Sequence, residues 1–357
     1  DLMIKAREIW GSLDERIGAE TGFQSCGIVY LFNKDSEIEK HEKWLKQHAA
    51  PAGIDSRLIG PGEIARLFPG LSSGWKAGLY TPSDGRAEPQ LAAPAIAEAA
   101  RAKGARIFTG CAVRTIEQAA GRISGVVTEK GPVAASQVIL AAGAWSRHMC
   151  KWCGISLPQL TTISSVMRTA PLDGPAITAS GDGFAVRKRA DGGYTIAPDF
   201  VTYSALTPAH FRHFFAYMPL AVKNWKEFRL GLTGRFFEEW NRSEKRPSDQ
   251  PSAFEQTRML DPLPDEAILA RGLASLKRHM PVFESVEIVE RWAGCIDVMP
   301  DEVPVIDAVN GLDGLYIATG FSGHGFGIGP GAGRLVADLV SGDKPVVNPA
   351  PFRLDRF

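Results

Sequence analysis

Apolar residues recur along the chain with two different periods. Leu2, Ile4, Ile9, Trp10, Leu13 and Ile17 trace one face of a helix that is at full strength in its first turn and runs to about Gly18. Residues 23–32 (FQSCGIVYLF) are rich in β-branched and aromatic side chains and predict a strand. A charged helix is predicted over 36–50, and Pro61 opens a short helix to Leu67, since proline suits the first helical turn. The segment GLYTPSDGRAEP at 78–89 has the Pro, Asp and Gly content of tight turns and predicts a loop. A strong helix over 89–103 is stopped by Gly104, and short strands follow at 106–109, 113–118, 121–128 and 137–141.

From about residue 153 to 286 the pattern changes. Strand-like alternation at 184–198 precedes a long aromatic stretch, FRHFFAYMPLAVKNWKEFRLGLTGRFFEEW, over 211–240. Apolar residues at helical spacing normally face the interior, so this stretch is read as core or subunit interface, with a membrane-surface rest and an active-site cover as alternatives. A polar loop with two prolines spans 242–253, and helical character returns at 265–279. The last part, 286–342, alternates strands with glycine-rich loops and closes with a helix over 331–341. Helices feeding strands of these dimensions predict a mixed α/β fold.

Composition narrows the classes. Hydrophobic residues make up 45% of the 357, ample for a sizeable core, and 40 basic residues balance 40 acidic ones. That balance gives no electrostatic reason to expect nucleic acid or an anionic membrane as the main partner. No segment reaches the roughly 18 uninterrupted apolar residues of a membrane span. The five cysteines form an odd, unevenly spaced set, which points to a reducing cytoplasm. Cys150 and Cys153 form a C-x-x-C with His148 just before it. No second ligand pair completes a zinc site, so no metal is expected.

The most informative residues are GLDGLYIATGFSGHGFGIGPGAG at 311–333. An apolar strand, Leu315 to Ala318, leads into closely spaced glycines and then a helix. Such a junction lets backbone approach a planar or anionic ligand, with helix amides aimed at negative charge. Glycines cost about 0.5 to 1 kcal/mol each in ordering entropy relative to alanine, so turn geometry alone explains the run poorly. A formal G-x-G-x-x-A at Gly327, Gly329 and Ala332 is read as accidental, because Pro330 sits inside it and no distal acidic residue follows.

These residues carry a resemblance. ATGFSGHGFGIGPGAGRLVADLVSG, preceded by ERWAG and PDEVPVID, resembles the closing motif of FAD-dependent oxidoreductases of the D-amino-acid oxidase superfamily, in the glycine oxidase and sarcosine oxidase branch. GLYTPSDGRAEPQLAAPAIAEAARAKGARI and VILAAGAWS are similar to further segments of that family. The resemblance implies two interleaved domains: a Rossmann-like FAD domain from 87–154 and 287–342, and a mixed-sheet substrate domain from 22–86 and 155–286, with 1–21 as a helix leading in. It implies that Gly320, Phe321, Ser322, Gly323, His324, Gly325, Phe326, Gly327 and Ile328 line the flavin ring, with a helix from Gly331 aimed at its pyrimidine edge. Val113 would reach the adenine side through its backbone, while Ala142, Gly143 and Trp145 border the cofactor.

The family's opening G-x-G-x-x-G turn does not occur before Gly78, so a strand and such a turn are expected ahead of Asp1, and the chain alone is expected to bind FAD weakly. Ile296 stands where glycine-oxidase-like relatives carry a substrate-clamping arginine, and Gly327 where the sarcosine branch has a lysine. Arg187, Arg291, Tyr194 and His324 become the substrate-anchor or catalytic candidates. Cys295 invites comparison with relatives that tether FAD through a cysteine, but its spacing is one residue short and an ordinary core thiol is expected. The implied activity is oxidation of a small amine or amino acid with oxygen or another electron acceptor. A dehydrogenase feeding a quinone or protein partner, and a non-catalytic remnant of the fold, are the alternatives.

Overall fold

The computed structural model describes residues 1–199, 202–223, 228–242 and 244–357. The opening helix, Leu2–Ile17, buries Leu2, Ala6, Trp10 and Leu13 and ends where Gly18 turns left-handed at φ 66°. Its partner is the closing helix, Gly325–Ser341. A Cβ added at Gly331 would lie 2.9 Å from the Leu2 carbonyl oxygen and 3.1 Å from Ala6 Cβ, so the two helices meet almost backbone to backbone. Around that contact Leu2, Ala6, Ile328, Ala332 and Leu335 form one buried cluster.

We expect Gly331→Val to cost about 2 to 3 kcal/mol through overpacking at this crossing. Gly333→Ala, where an added Cβ meets nothing within 4 Å, should instead gain up to about 1 kcal/mol from helix propensity. Denaturant midpoints of the two variants check the contrast, and equal shifts would remove the close-approach explanation.

Among the described residues the largest sheet has ten strands and mixed pairing. At its centre Leu160–Thr169 pairs antiparallel with Tyr194–Asp199 and, over ten residue pairs, with Ile288–Val298. Gly183–Lys188 and Thr178–Gly181 extend it to Ile28–Phe32 and Ala77–Thr81. Two three-stranded sheets stand apart. One pairs Val305–Ala308, Leu315–Thr319 and Val138–Leu140, and the other pairs Val113–Ala119, Arg122–Thr128 and Gly131–Ala134.

Strand alternation gives the large sheet two unlike faces. The outer face carries Phe184, Val186, Tyr194, Ile196 and Met167, all buried with Leu269 and Leu276 of the helix Glu266–His279. Asp265 starts that helix by accepting the Ile268 amide at 3.0 Å. The inner face carries Ser164, Val166, Ala185, Arg187, Thr195, Gly294 and Ile296, which are only half-buried.

Four expectations change. Residues 78–89 are not all loop: Ala77–Thr81 and Gly85–Arg86 are strands, because the glycine at 78 lets Val29 and Ile59 close over it rather than making a turn. The predicted strand at 23–32 is broken by Gly27, at φ 75°. No strand forms at 106–109, and Ile107 and Phe108 stay exposed. Within the aromatic stretch the helices Pro208–Arg212, Phe214–Lys223 and Arg235–Arg242 leave Phe211, Phe214, Phe215, Phe237 and Trp240 exposed by 57 to 82%. The core reading of these side chains is therefore overturned, and its residues 224–227 lie outside the described residues. No helix among the described residues is long and apolar enough to cross a membrane.

Candidate functional site

The glycine run enters the structure as a tight loop followed at once by helix. Gly320, Ser322 and Gly323 have φ of 77°, 51° and 87°, and the helix begins at Gly325 rather than at the expected Gly331. Gly320 is forced to be glycine twice over, since an added Cβ would also lie 2.4 Å from Met299 Cγ. A Cβ added at Gly323 would lie 3.9 Å from the Ile296 side chain.

The loop is fastened from behind by a residue the sequence reading passed over. Asp297 Oδ2 accepts the Gly320 amide at 2.7 Å, the Thr319 hydroxyl at 3.1 Å and the Gln159 amide at 3.1 Å, while its carbonyl accepts the Ser322 amide at 2.9 Å. Burial pushes the Asp297 carboxyl up, opposed by the hydrogen bonds from Gly320 and Thr319. The Gly143 carbonyl joins the network by accepting from Thr319 and Gln159. One strand end thus ties the 142–145 turn to the glycine loop. The available signal was an acidic residue closing an otherwise apolar strand, Trp292 to Val298.

In front of the loop the inner sheet face and the two packed helices enclose open space. A cleft of about 350 Å³ is lined by Met3, Trp10, Phe23, Arg187, Phe326 and Gly327 among others. A second of about 590 Å³ lies on the other side of Trp10 and Phe326, whose rings are 5.3 Å apart. Trp10 is held there by donating its indole N–H to the Gly327 carbonyl at 2.9 Å. Gly327 borders the first cleft and Gly329 the second, both with ordinary φ and no protein atom within 4 Å of an added Cβ, and Gly294 on the inner sheet face is equally unobstructed. Nothing in the chain itself requires glycine at these three positions. A trough floored by small residues and rimmed by unexplained glycines matches the outline of a flat ligand.

Of the residues named from sequence, Phe326 and Gly327 line the first cleft and Gly325 with Phe326 the second, while Gly320 to Gly323 form the loop before them and His324 is exposed at the start of the closing helix. Ile328 does not join them. It points into the helix–helix cluster. Val113 pairs with Thr128 in a separate small sheet, and Trp145 packs edge-on against Phe254 at 5.3 Å. Among the anchor candidates, Arg187 alone of the strand residues lies on the inner face. Tyr194 is on the outer face, buried, donating its hydroxyl to the Pro175 carbonyl at 3.0 Å. Arg291 is also on the outer face, 3.4 Å from Glu266. Both are corrected: the sheet itself separates them from the trough. Cys295 likewise alternates away from Ile296 and Gly323, and burial pushes its thiol up, which disfavours the reactive thiolate.

The family model of FAD-dependent oxidoreductases (DAO) matches residues 1–339. The chain belongs to this family. It is 25% identical over 352 residues to glycine oxidase of Pseudomonas aeruginosa, covering 97% of the chain and 80% of that enzyme. To mouse mitochondrial sarcosine dehydrogenase it is 22% identical, spanning 35% of that longer protein. Among solved structures, L-amino acid deaminase of Proteus myxofaciens superimposes with a TM-score of 0.94 at 32% identity, over 99% of this chain and 80% of that one. The FAD-dependent family fits the geometry: the cofactor of this family has a flat ring, and the trough offers a flat space bordered by glycines.

Proposed function

We propose that the protein uses FAD to oxidise a small amine or amino acid. The observation that supports this most is the trough, whose glycines at 327 and 329 have no packing reason within the chain. The chemistry FAD would supply here is acceptance of a hydride from the carbon bearing the amine, the nitrogen giving up a proton, so that an imine remains for water to hydrolyse. The chain's own part is placement. The left-handed loop from Gly320 to Gly323 brings main chain against the ring, Asp297 fixes that loop from behind, and Trp10 with Phe326 walls the space. Amides at the first turn of the closing helix, from Gly325 on, favour negative charge on the ring edge they face. Ala142, Gly143 and Trp145 border the cofactor on this reading, and Val113 reaches its adenine side.

The division into 87–154 with 287–342 for the cofactor and 22–86 with 155–286 for the substrate is supported by two apolar clusters, one around Ile116, Leu140, Met299 and Ile317 and one beneath the helix Glu266–His279. Strand Ile288–Val298 runs in the large sheet and delivers Asp297 to the loop, so it serves both. All five cysteines are free thiols, which supports a reducing cytoplasm as the working compartment. Electrons would pass on to oxygen or to another acceptor.

The purified full-length protein should show flavin absorption bands that bleach anaerobically on adding the right amino acid. A colourless protein, or one whose flavin no amine or amino acid reduces, refutes the proposal. Peroxide formation in air against dye reduction without air then assigns the acceptor. His324 is exposed at the start of the closing helix and makes no side-chain cap bond to it. His324→Ala should lower turnover per bound flavin at least tenfold, about 1.4 kcal/mol in the barrier. An unchanged value would remove His324 from the catalytic candidates.

A further inference from the structure

Away from the trough, the helix Ser146–Trp152 meets the helices Pro208–Arg212 and Arg235–Arg242 around a cavity of about 70 Å³. Its lining collects charge of one sign. Arg147, Lys151, Arg212, His148 and His213 border it, and among the described residues Glu239 is the only acid in the lining. That acid is already used, since it lies 2.7 Å from Arg147 with both side chains largely buried. Arg212 pairs with no carboxylate among the described residues. Leu157, Pro208 and Ala209 supply apolar wall between the cations.

The neighbouring groups register the resulting field. Burial, then Arg147 and Arg212, hold His213 down to about 4, and burial, then Arg147, Arg242 and Lys151, hold His148 down to about 3. The Lys151 ammonium is lowered by desolvation and then by Arg212 and Arg147, each acting more strongly than Glu244. Both imidazoles are therefore neutral near pH 7, and the cations around them repel one another. A separate observation points to a ligand. His148 is 7% exposed, and its Nδ1 has no hydrogen-bond partner. A buried ring nitrogen left unmet is costly unless something in the cavity bonds to it. Sites for ring-shaped ligands run to about 300 Å³ or more, so this one has room for a small ion. A phosphate group brings about 1.5 to 2 negative charges near pH 7 and three acceptor oxygens, which suits guanidinium, ammonium and imidazole donors arriving from two chain segments.

We propose that Arg147, Lys151, Arg212 and His148 form a binding site for a terminal phosphate group, free or at the head of a lipid. The site stands apart from the trough and does not depend on the oxidation chemistry. Phe211, Phe214 and Phe215, exposed on either side of Arg212 in the chain, give a lipid headgroup a surface to rest beside. The helix Ser146–Trp152 follows directly on the 143–145 turn, so a phosphate held here ties the aromatic helices to the element that carries that turn.

The test is calorimetric titration of the full-length protein with inorganic phosphate at constant ionic strength, with chloride as competitor. Alongside it, the protein is sedimented with phosphatidylcholine vesicles made with and without phosphatidic acid. Phosphate or phosphatidic acid should bind saturably, and chloride should not displace either. Arg212→Gln and Lys151→Gln should each weaken that binding about tenfold or more, and because both side chains are exposed these variants keep the fold. His148→Leu removes the buried donor without touching surface charge and should weaken it by a similar factor. Arg278→Gln, exposed on the remote helix Glu266–His279, should change nothing. Sedimentation that needs phosphatidic acid and is lost in Arg212→Gln assigns a lipid headgroup, while saturable phosphate binding without sedimentation assigns the free ion. The proposal is overturned if neither probe binds, or if chloride competes as well as phosphate. Full affinity in His148→Leu, or a loss in Arg278→Gln equal to that in Arg212→Gln, also overturns it, since either marks attraction to surface charge alone.

Discussion

Glu88→Ala is expected to cost about 3 kcal/mol of folding stability, because it strips the shared counter-ion from the buried Arg86 and from Arg187, whose side chain is 23% exposed. Glu88 and Arg86 are each about 7% exposed at the side chain, and Arg187 is held by the same carboxylate at 3.0 and 3.4 Å. The loss reaches further than charge. Glu88 also accepts the Ala190 amide at 3.0 Å, and its own amide binds the Thr21 carbonyl at 3.0 Å where the chain enters the helix Pro89–Ala102. Alanine therefore removes the acceptor of the Ala190 amide as well as the counter-ion of two cations. Glu88→Gln keeps an acceptor without the charge and should lie between alanine and the native protein. Replacing the whole triad, as Arg86→Met with Glu88→Leu and Arg187→Leu, should be milder than the single alanine change, since no lone charge is then buried. Urea unfolding of the four proteins decides it. A Glu88→Ala cost below about 1 kcal/mol would mean that water or an anion already compensates these arginines.

This triad shows where sequence reading stops. Arg187 was visible as a candidate, but its partner lies 99 residues away and belongs to a segment whose turn residues disguised a strand. The same limit separated Arg187 from Tyr194 and Arg291. All three sit on strands near the motifs, and only the pairing register assigns them to faces, Arg187 opposite Thr195 inside and Tyr194 opposite Lys188 outside. Local signals did better. The apolar stripe with its glycine stop described Leu2–Ile17 closely, and proline at the first turn described Pro61–Leu67. The closing helix failed at its start because Gly325, Gly327, Gly329 and Pro330 are poor helix formers. Packing of Ile328 and Gly331 against Leu2 and Ala6 overrides that preference. The aromatic stretch carries the period of a buried helix, but periodicity says nothing of what covers the apolar face.

The second large effect is expected at Asp297. Asp297→Ala removes the acceptor of three donors, the Gly320 amide at 2.7 Å and the Thr319 and Gln159 groups at 3.1 Å, in a place water does not readily refill. At about 1 to 3 kcal/mol for each donor left unpaired, with partial rearrangement, a loss of about 3 kcal/mol or more follows, together with loss of flavin binding as the Gly320 turn relaxes. Asp297→Asn retains a carbonyl for Gly320 and should cost about 1 to 2 kcal/mol. The pH dependence gives an independent check. Burial raises the Asp297 carboxyl above its ordinary value near 4, so the folded protein holds this proton more tightly than the unfolded chain does. Its favourable contribution is then fully present below about pH 4 and is lost as pH rises through the elevated folded value. Asparagine does not titrate. The stability of the native protein relative to Asp297→Asn should therefore fall as pH rises above about 4, measured by denaturant unfolding at stepped pH. A difference that grows with pH would show instead that the Gly320 and Thr319 bonds outweigh burial and hold Asp297 as a carboxylate. In that case a fixed negative charge lies behind the glycine loop and opposes any negative charge on the ring in front of it.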